Sequence, residues 1–379
     1  MKNVCIVTAS RSEFGHLRNI IDAIKTSNSM KTQIIVTGSH LSPEYGETVN
    51  EIVEQGYHID KTIDMLISST SKASIAKSMG LCAISISDAY AELKPDIVVV
   101  LGDRYELLPI CSTALVMGIK IAHISGGYIT NGAIDNEIRN AVSMLSDIHF
   151  PGTQEAGERL ISMGINTSRI YVVGTLSTEN LLKTPILSKI YLAEKFNLDI
   201  NKKWIMFTFH PETHLDIETN IETLENLIDA LVKFDDIQII ASFCNADFGG
   251  LEMNKLLVQK ASENQGILQV HRNIGNLFYG NFLRFSYAMV GNSSSGIYES
   301  QLYKLPVLNV GKRQEGRYKT ANIFDCSYKK KEIESAIDAI ITGGFQKSIT
   351  KVENVYGDGH TSEYIVKYLE NYLEFNNLQ

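Results

Sequence analysis

The stretch DIVVVLGDR, residues 96–104, runs through five apolar side chains without alternation and stops in Gly-Asp-Arg. A strand with one face in water alternates apolar and polar residues, whereas a parallel strand covered on both faces by helices does not. Residues 97–101 therefore read as an inner strand, with Gly102–Arg104 at its carboxyl end. Similar runs flank it: VCIVTAS (4–10), TQIIVTGSH (32–40), KIAHISGG (120–127) and IHFPGT (148–153). Between them lie helical patterns, FGHLRNIIDAIKT with Leu17, Ile20, Ile21 and Ile24 on one face, YGETVNEIVEQG, residues 72–93, and LPICSTALVMG. Repeated strand–helix units predict a doubly wound α/β domain.

The alternation restarts after YVVGTLSTENLL (171–182). KWIMFTFHPET (203–213), a helix near 217–233, IQIIASFCNAD (237–247), GILQVHR, FSYAMVGNS and LPVLNVGKR supply a second set of strands. With no Gly/Ser- or Pro-rich linker to mark a boundary, the expected domains are 1–175 and 176–379, both Rossmann-like, and the chain ends in an amphipathic helix. Two such domains in tandem leave a cleft at the carboxyl ends of their strands, where open α/β sheets bind ligands. Polar residues cluster at eight strand ends: Arg11, Gly38–His40, Gly102–Arg104, His123–Gly127, His210–Thr213, Asn245–Asp247, Gly291–Ser295 and Gly311–Arg313. Eight coincidences favour one shared site over eight independent turns.

Bulk properties narrow the ligand. The 379 residues carry a formal charge of −8, which argues against general nucleic-acid binding but not against a small anion held by a local Arg/His cluster. Five scattered cysteines without CxxC spacing suggest neither a disulfide framework nor a zinc site and fit a reducing cytoplasm. The N-terminus lacks the h-region of a signal peptide, and no apolar run is long enough for a membrane span.

In GNSSSGIYE (291–299), successive small residues let backbone N–H groups converge before an expected helix, which suits a phosphate. Ser293 and Ser294 add hydroxyl donors, and Glu299 can accept from both hydroxyls of a ribose; an ordinary helix cap is the alternative. The segment lacks the GxxxxGK[ST] order of a P-loop. Arg313 can form charge-assisted bonds to phosphate, while Arg317 reads as a solvated turn. His210, at a strand end before Pro211, is a phosphate donor or a proton source near neutral pH. Asp103 offers a carboxylate acid or base, with Arg104 beside it. Asp135 and Arg139, four apart, share a helix face and suit either an ion pair or an oriented acid.

Taken together and in order, TASRSEFG (8–15), VTGSHLSPEYGET (36–48), LGDRYE (101–106), HISGGYITNGAIDNEIR (123–139), FTFHPET (207–213), GNSSSGIYE and NVGKRQEGR (309–317) resemble the UDP-N-acetylglucosamine 2-epimerase family, in its hydrolysing branch. The resemblance spans both halves. It implies a GT-B-like fold whose C-terminal domain holds the nucleotide and whose terminal helix, about 362–379, packs back on the first domain. It implies a UDP-sugar substrate, no metal or other cofactor, and dimers or larger assemblies. By position, Arg11, His210, Ser293, Ser294 and Arg313 match diphosphate-binding residues and Glu299 the ribose carboxylate. Asp103 and Asp135 match proton-transfer residues, and His40, Arg104, His123 and Arg139 match the sugar surroundings. The implied reaction converts UDP-N-acetylglucosamine to UDP and N-acetylmannosamine, as in sialic-acid biosynthesis; a 2,4-diacetamido-2,4,6-trideoxy analogue is the alternative substrate, and a weakly active nucleotide-sugar binding protein the alternative role. Many relatives read HIEGGE where this chain has HISGGY, so Ser125 and Tyr128 replace two carboxylates, and Asn140 stands where a His is usual.

Overall fold

The computed structural model describes residues 1–43, 46–67, 72–129, 134–212, 215–244, 249–272, 274–349 and 351–375. The chain divides into two compact units, Met1–Asn180 with Val355–Gln379, and Leu181–Asn354.

The first unit holds six parallel strands: β1 (Lys2–Thr8), β2 (Met30–Thr37), β3 (Lys61–Ile63), β4 (Ile97–Leu101), β5 (Lys120–Ile124) and β6 (Ile148–Phe150), ordered β3-β2-β1-β4-β5-β6. The side-chain period of two explains the unbroken apolar runs. Val4 and Ile6 of β1 join one core with Leu17, Ile20 and Ile21 of the helix Arg11–Ile24. Cys5 and Val7 join the opposite core with Ile86 and Tyr90 of the helix Lys72–Leu93. Both faces of the sheet are covered, so both parities of β1 carry apolar side chains.

The second unit repeats the plan with β7 (Lys203–Thr208), β8 (Ile237–Ser242), β9 (Leu268–His271), β10 (Ala288–Gly291), β11 (Val307–Val310) and β12 (Ile323–Cys326), ordered β12-β11-β10-β7-β8-β9. Counted from its own first strand, this is the same 3-2-1-4-5-6 order, whose switch points fall between β1 and β4 and between β7 and β10. The fold is two doubly wound Rossmann-like units.

The last helix, Thr361–Phe375, belongs to the first unit, where Ile365, Leu369 and Leu373 share a core with Leu17 and Ile24. Its approach is pinned where Gly174 and Gly357 cross. A Cβ on Gly174 would lie 2.7 Å from the Gly357 Cα, and the Thr175 N–H donates to the Tyr356 carbonyl at 2.8 Å. Buried Glu179 then accepts the Ser362 N–H at 2.8 Å, capping the helix start.

Two local expectations change. The strand expected from Phe285 begins at Ala288, because Phe285 ends the helix Asn276–Phe285, closed by the Ser286 N–H on the Phe282 carbonyl. The helix expected after residue 295 is one turn, Ser295–Tyr298, so it lends little macrodipole. The edge strands β3 and β12, unnoticed in the sequence, have exposed positions that break any apolar run.

Candidate active site

In the first unit the strand-end residues form two carboxylate–guanidinium sets. After β4, Asp103 pairs with Arg139 of the helix Asp135–Leu145, and Arg139 also donates to the Tyr128 carbonyl at 2.8 Å. The spacing of Asp135 and Arg139 leaves open an ion pair or an oriented acid; Arg139 forms an ion pair with Asp103. Asp135 is the first residue of that helix and half-buried; residues 130–133 lie outside the described residues. Arg104 makes a bidentate pair with buried Glu106, at 2.7 and 3.2 Å, and lies 4.0 Å from Glu13. Arg11, the first helical residue after β1, is exposed and donates to Glu51 at 2.9 Å.

The two histidines expected on the sugar side are buried struts. His123 is fully enclosed; its Nε2–H donates to the Gly102 carbonyl at 2.8 Å, which leaves Nδ1 to accept from the Ser143 hydroxyl at 3.0 Å. It therefore sets the turn that carries Asp103. His40 bridges Thr8 and Thr48 at 3.0 and 2.8 Å, joining the turns after β1 and β2. Burial pushes both imidazoles down to about 4, so both are neutral near pH 7. Ser125 stands at φ +63°, a left-handed conformation rare for a side-chain-bearing residue, with its N–H on the Phe150 carbonyl at 3.0 Å. Tyr128 turns its ring toward Gly152, where an added Cβ would meet its hydroxyl at 2.4 Å.

The second unit gathers neutral donors around one residue. Asn292, buried after β10, accepts the His210 N–H at 2.7 Å and donates to the His210 carbonyl at 2.8 Å, splicing the end of β7 to the end of β10. Its own carbonyl accepts from Gln314 at 2.8 Å and Arg313 at 3.3 Å, which brings in the loop after β11. Gly291 makes this approach possible: at φ +140°, a Cβ there would lie 1.9 Å from the Thr208 carbonyl oxygen. Ser293 and Ser294 are half-buried on this turn, and the Ser293 hydroxyl accepts the Ser295 N–H at 3.3 Å. Behind it, Tyr279 donates to Ser295 and Ser295 to Glu299, both at 2.5 Å, and burial raises the Glu299 carboxyl above its ordinary range. Arg317 is no solvated turn: it donates to Gln314 at 2.7 Å and lies 5.1 Å from the Tyr298 ring centre.

For His210 the sequence leaves two roles, a phosphate donor or a proton source near neutral pH. Burial, and then the neighbouring Arg313, push it down to about 4, so it is a neutral hydrogen-bonding group there. Thr213 and Asn245–Asp247 lie outside the described residues, as does His214. No grouping of His, Cys, Asp and Glu suited to a metal occurs among the described residues.

Several residues here escaped the reading of the sequence. Asn292 and Gln314 act through side-chain-to-backbone bonds that composition does not advertise. Glu212 is another: it accepts the Lys312 N–H at 3.2 Å and the Tyr328 hydroxyl at 3.0 Å, anchoring the loop that carries Arg313. Glu13 did leave a signal, the S-x-x-E spacing of Ser10 and Glu13 at a helix start.

The sequence pattern of the UDP-N-acetylglucosamine 2-epimerase family matches residues 22–370. A Campylobacter jejuni protein named GDP/UDP-N,N′-diacetylbacillosamine 2-epimerase (hydrolyzing) is 35% identical over 92% of this chain and 89% of its own length. The Legionella pneumophila UDP-N,N′-diacetylbacillosamine 2-epimerase (hydrolyzing) is 30% identical over 96% of this chain and 94% of its own. A crystal structure of the Neisseria meningitidis UDP-GlcNAc 2-epimerase bound to UDP-GlcNAc superposes with a TM-score of 0.77 at 19% identity, covering 98% of this chain and all of that one. By pattern, by identity along nearly its whole length and by fold, the chain belongs to the UDP-N-acetylglucosamine 2-epimerase family.

Proposed function

We propose that the chain is a hydrolysing 2-epimerase of UDP-N,N′-diacetylbacillosamine, the UDP-linked 2,4-diacetamido-2,4,6-trideoxyglucose, releasing UDP and the free 2-epimer. The observation that carries this reading is the 35% and 30% identity, over more than nine-tenths of the chain, to two relatives named for that activity. The strand-end chemistry supports it. Ser293, Ser294 and Arg313 supply donors for a diphosphate, the neutral His210 imidazole adds one more, and Glu299 accepts from a ribose diol. Preorganised donors of this kind lower a barrier by several kcal/mol when charge grows on a leaving group.

In the first step a carboxylate, Asp103, takes the proton from C2. The C2–H electron pair forms the C1=C2 bond, and UDP departs with the C1–O pair. The C2 proton is scarcely acidic until positive charge develops at C1, so departure of UDP leads. In the second step Asp135 gives a proton to C2 on the other face, and water adds its oxygen to C1 and passes the proton it loses to the Asp135 carboxylate. The proton taken by Asp103 leaves to solvent. Water is consumed once, and no electrons are exchanged with a cofactor. Arg139 holds Asp103 in place, and Arg104 and Arg11 bind substrate anions or hydroxyls.

UDP-N-acetylglucosamine is the second reading, favoured by the ligand of the Neisseria structure. Incubation with each UDP-sugar in D2O, followed by NMR, separates them. The expected result is UDP release with deuterium at C2 of the free diacetamido sugar. UDP release from UDP-N-acetylglucosamine alone reverses the substrate assignment, and release from neither overturns the function. We further propose a cytoplasmic homodimer or larger assembly, consistent with five free thiols and checked by light scattering.

A further inference from the structure

We propose that Glu13 is a positioning carboxylate of the catalytic machinery, fixing with one oxygen the turn from which Arg11 emerges and, together with Glu106, holding Arg104 with the other. This inference rests on the hydrolysing-epimerase reading.

Helix capping alone does not account for the residue. Glu13 Oε2 accepts the Ala9 N–H at 2.8 Å and the Ser10 N–H at 3.1 Å, which is what an N3 glutamate contributes to a helix start. A surface capping glutamate leaves its other oxygen in water. Here the residue is only 8% exposed, and Oε1 is buried without a hydrogen bond, 4.0 Å from the Arg104 Nε. The turn is sealed on the β2 side by Gly38, where a Cβ would stand 2.7 Å from the Ala9 carbonyl oxygen and 3.3 Å from Glu106 Oε1. Arg104 thus has two buried carboxylates at its back while 38% of its own side chain remains exposed. A buried carboxylate with an unmet oxygen is unfavourable unless function retains it.

The charges around it set its behaviour. Arg104 and Glu106 come from the turn after β4; His40, from the turn after β2, is neutral; Arg11, on the same helix, is paired with Glu51. Burial first, with Glu106 adding to it, lifts the Glu13 carboxyl to about 7 against the downward pull of the Ala9 amide, Arg104 and the Ser10 amide. The folded pKa is therefore above the unfolded one. Whatever stability Glu13 contributes is complete below about 4.5 and is lost as pH rises through about 7. Ionised Glu13 attracts Arg104, and protonated Glu13 does not.

The test is E13Q, which preserves shape and the acceptor for the Ala9 and Ser10 amides. UDP release and thermal stability are measured from pH 5.5 to 9. In the native enzyme kcat/KM rises through an apparent pKa near 7. In E13Q that limb is absent, kcat/KM at pH 8.5 is about 10- to 100-fold lower, as for loss of a charged partner, and Tm at pH 8.5 is higher. Glu13→Asp, with a carboxylate withdrawn by one methylene, keeps the limb at reduced kcat. An E13Q protein that keeps the native pH limb overturns the inference alone, as does one that is less stable than the native chain at pH 8.5 or fails to fold. A native chain that releases UDP from no sugar overturns the functional reading first, and this inference with it.

Discussion

The two units share a strand order but arm their switch points differently. Around β1 and β4 stand carboxylates matched to guanidiniums, Asp103 with Arg139 and Glu106 with Arg104. Around β7 and β10 stand amides and hydroxyls, Asn292, Gln314, Ser293 and Ser294, with Arg313 the cation bonded to the Asn292 carbonyl. On the proposed function, the same backbone plan would move protons in one unit and hold an anion in the other. What differs is the side chains at the strand ends; the sheets beneath are interchangeable in design.

That contrast breaks most sharply at Asp103. Asp103→Asn is expected to lower kcat by about 10³-fold while leaving the Kd for UDP within about twofold, because a proton acceptor is lost and no nucleotide donor is touched. Isothermal titration alongside turnover checks it, and weakened UDP binding would erase the division of labour. Arg313→Ala should do the reverse, weakening UDP binding by about 10- to 100-fold through loss of a charge-assisted bond. Asn292→Ala leaves the His210 N–H and carbonyl unmet and is expected to destabilise the chain by about 2–4 kcal/mol, read by urea unfolding. Acid should strike both units. His40 and His123 in the first and His210 in the second are held near 4 against an ordinary 6.5, so the unfolded chain takes up protons first. Their contribution to stability is whole above pH 6.5 and declines as pH falls toward 4, a trend visible as a falling Tm. The smallest effect is expected at Ser125→Gly, which relieves a left-handed backbone and should stabilise by less than about 1 kcal/mol.

The inner strands were legible because burial on both faces writes a continuous apolar run, as in residues 97–101. The helix Lys72–Leu93 was legible by length and period. Edge strands β3 and β12 were not, since exposed positions break any apolar run in them, whereas the equally short edge strand β6 is buried throughout and reads as one. The strand-end residues could be picked out one by one, but their partners could not. Asp103 and Arg139 are 36 positions apart and meet only because β4 and β5 are neighbours and the helix Asp135–Leu145 follows β5. Spacing within that helix left an Asp135–Arg139 pair and an oriented acid equally open. The neutral state of His40, His123 and His210 was hidden for the same reason, since it depends on what encloses each ring.

Gly291 closes off one route of change and leaves another open. Main chain touches main chain there, so the floor beneath the serines is the same whatever residues surround it, and any codon change that adds a side chain breaks it. The hydroxyls of Ser293 and Ser294, half-buried on that floor, are under no such prohibition. On the proposed function, new ligand preferences would arise by altering those hydroxyls, with the backbone beneath them acting as a fixed die.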